Sequence, residues 1–146
     1  MSSMKGKIFL DTNIFVYSID SSAEQKEKRN VARRLVKTHI REESGVISIQ
    51  VIQEFFQVAT TKVRTPISAE DALEFMQYMA SLQIVTPDFD TVVAAVRIHQ
   101  KHSISFWDAL ILQAAEDAGA GVVYSEDLKA GQRYGAVQVV NPFIAQ

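Results

Sequence analysis

Two short apolar runs end abruptly in acids. Ile8-Phe9-Leu10 leads into Asp11-Thr12-Asn13, and Val122-Val123-Tyr124 leads into Ser125-Glu126-Asp127. Both runs have the length and composition of buried strands, so both would deliver carboxylates to the same edge of a sheet. Asp and Ser also cap helices and turns well, so each acid alone reads equally as a cap. Asp108 is harder to explain, because Trp107 to Ala115 is apolar nearly all round, as in a buried helix. An ionised carboxylate there is costly unless it is paired or bound to a cation. Ser105 three residues earlier offers a capping box as the plain explanation, and a helix start can serve both ends. Glu54 shares a polar helix face with Gln50, Gln53 and Gln57, where a solvated side chain is the default. It becomes a candidate because that face begins just after a strand ending at Ser48.

Other chemistries fail on residue type. Without cysteine there is no thiol nucleophile and no Cys-based zinc site. His99 and His102 lack a third clustered ligand, which disfavours zinc. The six glycines form neither a dinucleotide fingerprint nor a P-loop, and no G-x-S-x-G elbow occurs. The remaining set is oxygen-rich: Asp11, Glu54, Asp108 and Asp127, with Glu126 beside the last. Hard carboxylate donors suit Mg²⁺ or Mn²⁺.

The elements that must position these acids follow from periodicity and punctuation. Strands are expected at Lys7 to Leu10, Gly45 to Ser48, Gln83 to Thr86, Val122 to Tyr124 and Val137 to Val140. Helices are expected from Ser21 or Ser22, with Glu24 completing a capping box, from Ile49 to about Lys62, from Ser68, from Asp88, and from Ser105 to Ala118. Short apolar strands alternating with helices, without a hairpin signal, predict an α/β domain whose mostly parallel sheet is covered on both faces. In such sheets the ligand crevice lies beyond the carboxyl ends of the strands, where these acids fall.

The 146 residues suit a single domain, residues 1–146. The 15 Lys and Arg against 17 Asp and Glu give a formal charge of -2, which argues against bulk electrostatic coating of nucleic acid. Charge is nonetheless segregated: residues 22–45 hold seven cations against four anions, and residues 46–146 hold six against eleven. Arg29, Arg33, Lys37 and Arg41 step by four along one helix stripe. The start, Met1 to Lys7, is charged but precedes only a short apolar run, so a soluble cytoplasmic protein without membrane contact is expected.

With the acids placed, the chain resembles the PIN-domain nucleases, most closely the VapC-type toxins of bacterial toxin–antitoxin pairs. The resemblance runs through Phe9-Leu10-Asp11-Thr12-Asn13-Ile14, Gln53-Glu54-Phe55, Ser105-Phe106-Trp107-Asp108-Ala109-Leu110-Ile111 and Tyr124-Ser125-Glu126-Asp127-Leu128, in the family's order. It implies a three-layer α/β/α sandwich, an acidic metal site and hydrolysis of RNA phosphodiesters. Asp11, Glu54, Asp108 and Asp127 would form the acidic quartet, with Glu126 an alternative for the fourth place. Thr12 or Asn13, Ser105 and Ser125 match polar positions around it, with serine where the family commonly has threonine at the Ser125 position. The resemblance also implies a homodimer and an antitoxin partner.

Four carboxylates in one pocket repel, and a divalent cation would relieve that conflict. Asp11 and Asp108 are expected to bind one Mg²⁺ or Mn²⁺ directly, with Glu54 and Asp127 completing its water shell or holding a second ion. The cationic row Arg29, Arg33, Lys37 and Arg41, together with Lys62 and Arg64, is expected to guide the RNA backbone. Rival expectations are a binding module whose acids are structural caps, with Phe55, Phe56, Phe75, Met76, Tyr78 and Met79 at its contact surface, and a metal-dependent phosphatase or DNase using the same acids.

Overall fold

The structure, a computed structural model, describes residues 6–144; most of the charged start read above, Met1 to Lys5, lies outside them. In chain order the elements are β1 (Lys7–Leu10), α1 (Thr12–Ile19), a 3₁₀ turn (Ala23–Gln25), α2 (Lys26–Arg41), β2 (Gly45–Ser48), α3 (Ile49–Thr61) and α4 (Ala69–Met79). There follow β3 (Gln83–Val85), α5 (Phe89–His102), α6 (Phe106–Asp117), β4 (Ala120–Tyr124), β5 (Arg133–Tyr134) and β6 (Val137–Val140). The sheet has six strands in the order β3-β2-β1-β4-β6-β5, parallel except for β5 against β6.

That order contains a reversal. From β1 the chain winds outward through β2 to β3, then crosses back to lay β4 on the other side of β1. Right-handed crossovers in opposite directions put their helices on opposite faces. Accordingly α1 packs on α2 and α3, and α3 on α4, while α5 packs on α6. The result is the expected three-layer sandwich, and the reversal opens a crevice between the carboxyl ends of β1 and β4.

Burial explains the apolar runs. Phe9 and Leu10, which point to opposite faces of β1, are both fully buried, as a strand covered on two sides requires. Phe15, Val46, Ile47, Val51, Phe55, Leu112 and Val123 complete the same core. Truncating Phe9 or Phe55 to Ala would cost about 3–5 kcal/mol. In α6 every residue from Ala109 to Ala115 is buried, which accounts for a helix apolar on all sides. The rings read as a candidate contact surface mostly serve this core: Phe55 and Met79 are fully buried, Phe75 and Met76 pack against the core, and Tyr78 and Phe56 remain exposed. A Cβ at Gly45 would meet the Leu82 side chain, so a larger residue at the start of β2 would require Leu82 to shift.

Two expectations need correction. The long second helix begins at Lys26 rather than at a Ser21 or Ser22 capping box, because Ser22 turns its N–H and hydroxyl back to Asp20 Oδ1, at 3.0 and 2.7 Å. The sheet also contains a hairpin that was not expected. Tyr134 pairs with Val137 across Gly135-Ala136, and Gly135 adopts φ +60° at the first central position, the place of glycine in a type II′ turn. The other starts behave as read: Ser68 Oγ accepts from Asp71 N, and Asp88 makes a reciprocal capping box with Thr91. Among the described residues, no helix is long and apolar enough to cross a membrane.

Candidate active site

Asp11 leaves β1 and caps α1. Its Oδ1 accepts the Thr12 N–H at 2.7 Å, satisfying one of the free donors of the first turn. Its Oδ2 accepts the Ser125 hydroxyl at 2.7 Å across the β1–β4 junction. The cap reading of Asp11 is therefore correct, and its second oxygen is tied across the sheet as well. The carboxyl is only 7% exposed. Burial raises its pKa, the Ser125 and Thr12 hydrogen bonds oppose the rise, and the charges of Glu54 and Asp127 add to it, leaving a value of about 6.

The remaining acids meet Asp11 over one cleft of about 260 Å³, lined by Asp11, Thr12, Glu54, Asp108 and Asp127 together with Gln50, Gln57, Val58, Lys62 and Ile111. Glu54 reaches it from α3, where its Oε1 accepts the Thr12 hydroxyl at 2.8 Å. Asp108 reaches it from the first turn of α6; Ser105 caps that helix by accepting the Asp108 N–H at 3.0 Å. Partial burial pushes the Asp108 carboxyl above the ordinary range; the Ser105 hydrogen bond opposes the rise and the Asp127 charge adds to it. Asp127 follows β4, and Asn13 Nδ2 donates to its Oδ2 at 3.1 Å. Ser125 is the hub of this turn: fully buried, it donates to Asp11 while its oxygen accepts the backbone N–H groups of Asp127 and Leu128. Asn13 adds a second tie by accepting the Glu126 N–H at 3.3 Å. Thr12, Asn13 and Ser125 therefore each hold one carboxylate and Ser105 sets the turn that carries the fourth; the Asn13 and Ser125 ties join residues 114 apart in sequence.

A model of the PIN domain matches residues 8–135. The chain belongs to the PIN domain family. Solved structures share the fold. A toxin–antitoxin complex from Klebsiella pneumoniae is 17% identical, covering 93% of this chain and 98% of that one with a TM-score of 0.67. VapC20 of Mycobacterium tuberculosis, a Sarcin-Ricin loop cleaving toxin, is 19% identical over 83% of this chain and 90% of its own, with a TM-score of 0.66. DNA-bound VapBC from Salmonella typhimurium is 18% identical over 92% and 97%, also at 0.66. No curated protein matches the sequence.

Within this PIN domain the two adjacent acids after β4 part company. Glu126 turns from the cleft: its Oε2 meets Lys28 Nζ and its Oε1 accepts the Tyr17 hydroxyl, each at 2.5 Å, while Lys28 also lies over the Tyr17 ring. Glu126 thus ties α1 and α2 to the loop, and Asp127 is the acid that faces Asp11 and Asp108.

The cationic row on α2 is not brought to the acids. Arg29 donates to the carbonyls of Asp20 and Ser22 and so binds α2 to the loop after α1, while Arg33 donates to that of Ser18 and binds α2 to α1 itself. Arg33 and Lys37 line a separate cavity with Phe75 and Tyr78, and Arg41 pairs with Glu42. Lys62, at the end of α3, does line the acidic cleft, and Arg64 lines the adjoining cavity while paired with Glu24.

Sequence reasoning missed Gln50. It is 7% exposed, and its Nε2 donates to Trp107 O at 3.2 Å and to Glu54 Oε2 at 3.5 Å, joining the helix that carries Glu54 to the one that carries Asp108. Its Oε1 is buried with no partner among the described residues. The available signal was its position four residues before Glu54 on one helix face. Among the described residues no group of three acidic, histidine or cysteine side chains forms a ready metal cage; the four acids border an open cleft instead.

Proposed function

We propose that this PIN domain is a divalent-metal-dependent ribonuclease, the toxin of a toxin–antitoxin pair. The observation that carries the reading is Asp11: a buried carboxyl held by Thr12 N and Ser125 Oγ, with its pKa raised to about 6 and three further acids on the same cleft. An all-oxygen donor set with unrelieved repulsion fits a hard cation. An open arrangement fits Mg²⁺ or Mn²⁺ in particular, since such ions are commonly held by one or two carboxylates with water and substrate phosphate filling the remaining positions.

Asp11 and Asp108 would hold the ion, with Glu54 and Asp127 on its water shell or on a second ion. When bound, such an ion neutralises charge on the phosphate and makes a water more acidic. The chain's own residues do the rest by position. Ser125 and Thr12 N–H orient Asp11, the Thr12 hydroxyl fixes one oxygen of Glu54, Asn13 fixes Asp127, and Ser105 sets the turn from which Asp108 projects. Lys62 is the cation among the residues lining the cleft and is suited to a substrate phosphate; Arg64 stands in the next cavity. Water then attacks phosphorus, the bond to the leaving oxygen breaks, and no protein nucleophile is needed.

RNA is favoured over DNA or phosphomonoesters by the structural likeness to a toxin described as cleaving the Sarcin-Ricin loop. The likeness to toxin–antitoxin complexes supports an antitoxin partner, and a homodimer completes the proposal. The test is cleavage of total or transfer RNA with Mg²⁺ or Mn²⁺ by wild type and Asp108→Asn, with DNA and a phosphomonoester alongside. Metal-dependent RNA cleavage lost in the variant is expected; retained cleavage by Asp108→Asn would remove the assignment.

A further inference from the structure

The acidic cleft continues into two side cavities. One shares Thr12, Val58, Lys62 and Asp127 with it and extends to Tyr17 and Arg64. The other, also about 260 Å³, shares Asp108 and Asp127 and is otherwise lined by His102, Ile104, Leu128, Lys129, Gln132 and Tyr134. The two side cavities have only Asp127 in common, so the depression runs past the acids in two directions.

The second cavity holds polar groups that nothing in the fold uses. Tyr134 lines this cavity; its ring is packed into the core, and its hydroxyl makes no hydrogen bond to protein among the described residues. Its ring meets the His102 ring edge-on, with centroids 4.8 Å apart. Lys129 is exposed and makes no ion pair among the described residues, and the Gln132 side-chain amide has no partner there. A hydroxyl, an amide and an ammonium with no protein partner are free to hydrogen-bond a ligand seated in this cavity. A ring pair, an apolar floor, an amide and a cation together match the parts of one nucleotide: base, ribose and phosphate.

We propose that this cavity seats one nucleotide of a single-stranded RNA, next to the phosphodiester held over the acids, with Lys129 on its phosphate and Tyr134 and Gln132 on its base or ribose. The proposal rests on the ribonuclease reading and adds to it. The strand then passes across the acids from the Lys62 side to the Lys129 side, cleavage is internal, and the base in this cavity is discriminated.

Two measurements separate the proposal from the reading it rests on. Wild-type cleavage of RNA with Mn²⁺ tests the reading. Binding of a fluorescent oligoribonucleotide to the Asp11→Asn protein, at several salt concentrations, tests the cavity without needing turnover. In that background Lys129→Ala is expected to weaken binding about 3- to 10-fold and to lower the salt slope by about 0.7, the value for one phosphate of a single strand. Gln132→Ala and Tyr134→Phe, which keeps the ring against His102, are expected to weaken it by a similar factor without changing the salt slope. Lys101→Ala, on the exposed part of α5, serves as control and is expected within twofold. Cleavage by wild type with unchanged binding in all three cavity variants overturns the cavity and leaves the reading intact. Absence of both cleavage and RNA binding overturns both.

Discussion

Ser125 Oγ donates to Asp11 Oδ2 at 2.7 Å while accepting two backbone N–H groups of its own turn, so a single hydroxyl couples the end of β4 to the end of β1. Replacing it by alanine leaves two turn donors and a buried carboxylate short of a partner. The expected loss is about 1–3 kcal/mol of stability, measured by urea denaturation. Because that hydrogen bond lowers the Asp11 pKa, the acidic limb of the cleavage–pH profile should also move to higher pH in Ser125→Ala.

Asp11 makes stability depend on pH in the direction opposite to an ion-paired carboxylate. Its folded pKa of about 6 lies above the unfolded value of 3.8, so the folded state holds the proton more tightly. The contribution is fully present below about pH 4 and is lost as pH rises through about 6. The shift corresponds to roughly 3 kcal/mol. In chelator, Asp11→Asn should therefore melt above wild type at pH 8, and the two should converge near pH 4. A constant difference across that range would show that Asp11 is not raised.

Gln50 is expected to matter for rate more than for stability. Gln50→Leu removes hydrogen bonds to Trp107 O and Glu54 but also removes a buried carbonyl oxygen that has no partner. The stability change should stay within about 1 kcal/mol, because the two effects oppose each other. Glu54 loses its second partner, so kcat should fall roughly tenfold with little change in KM, the signature of misplaced groups. Steady-state kinetics on a short RNA checks this.

Glu126 and Asp127 should separate cleanly. Asp127→Asn is expected to lose cleavage, whereas Glu126→Gln should keep it within threefold and lose about 1 kcal/mol through the weakened Lys28 pair. The reverse pattern would reassign the fourth acid.

Much of this site was legible in the residues because strand ends and helix starts announce themselves. The run into Asp11, the run into Ser125-Glu126-Asp127 and the Ser105 cap each combine a burial pattern with a polar stop, and all three lie where they were read. Side-chain direction was less legible. The step of four along α2 identifies a common stripe, yet the stripe's neighbours are set by the α1–α2 packing, and Arg29 and Arg33 turned out to face carbonyls of α1 and of the loop after it. Likewise two adjacent acids after a strand look equivalent in sequence, and only Lys28 and Tyr17, about a hundred positions earlier, draw Glu126 away. The β5–β6 hairpin escaped because Gly135-Ala136 is a weak turn signal and a two-residue strand has almost no periodicity. With it went Tyr134, whose position beside Asp108 depends on that turn.

The pairing of Leu10 with Tyr124 has a consequence for how the protein is made. A ribosome releases Asp11 more than a hundred residues before Asp127, and contacts this distant along a chain form late because loop closure must precede them. Until β4 and the turn after it have been made, Asp11 has neither the Ser125 hydroxyl nor Asp127 beside it. On the proposed activity, the nascent polypeptide is harmless to the RNA that surrounds it, including the ribosome's own. On that reading the cutting centre would be complete only once β4 and the turn after it have joined β1.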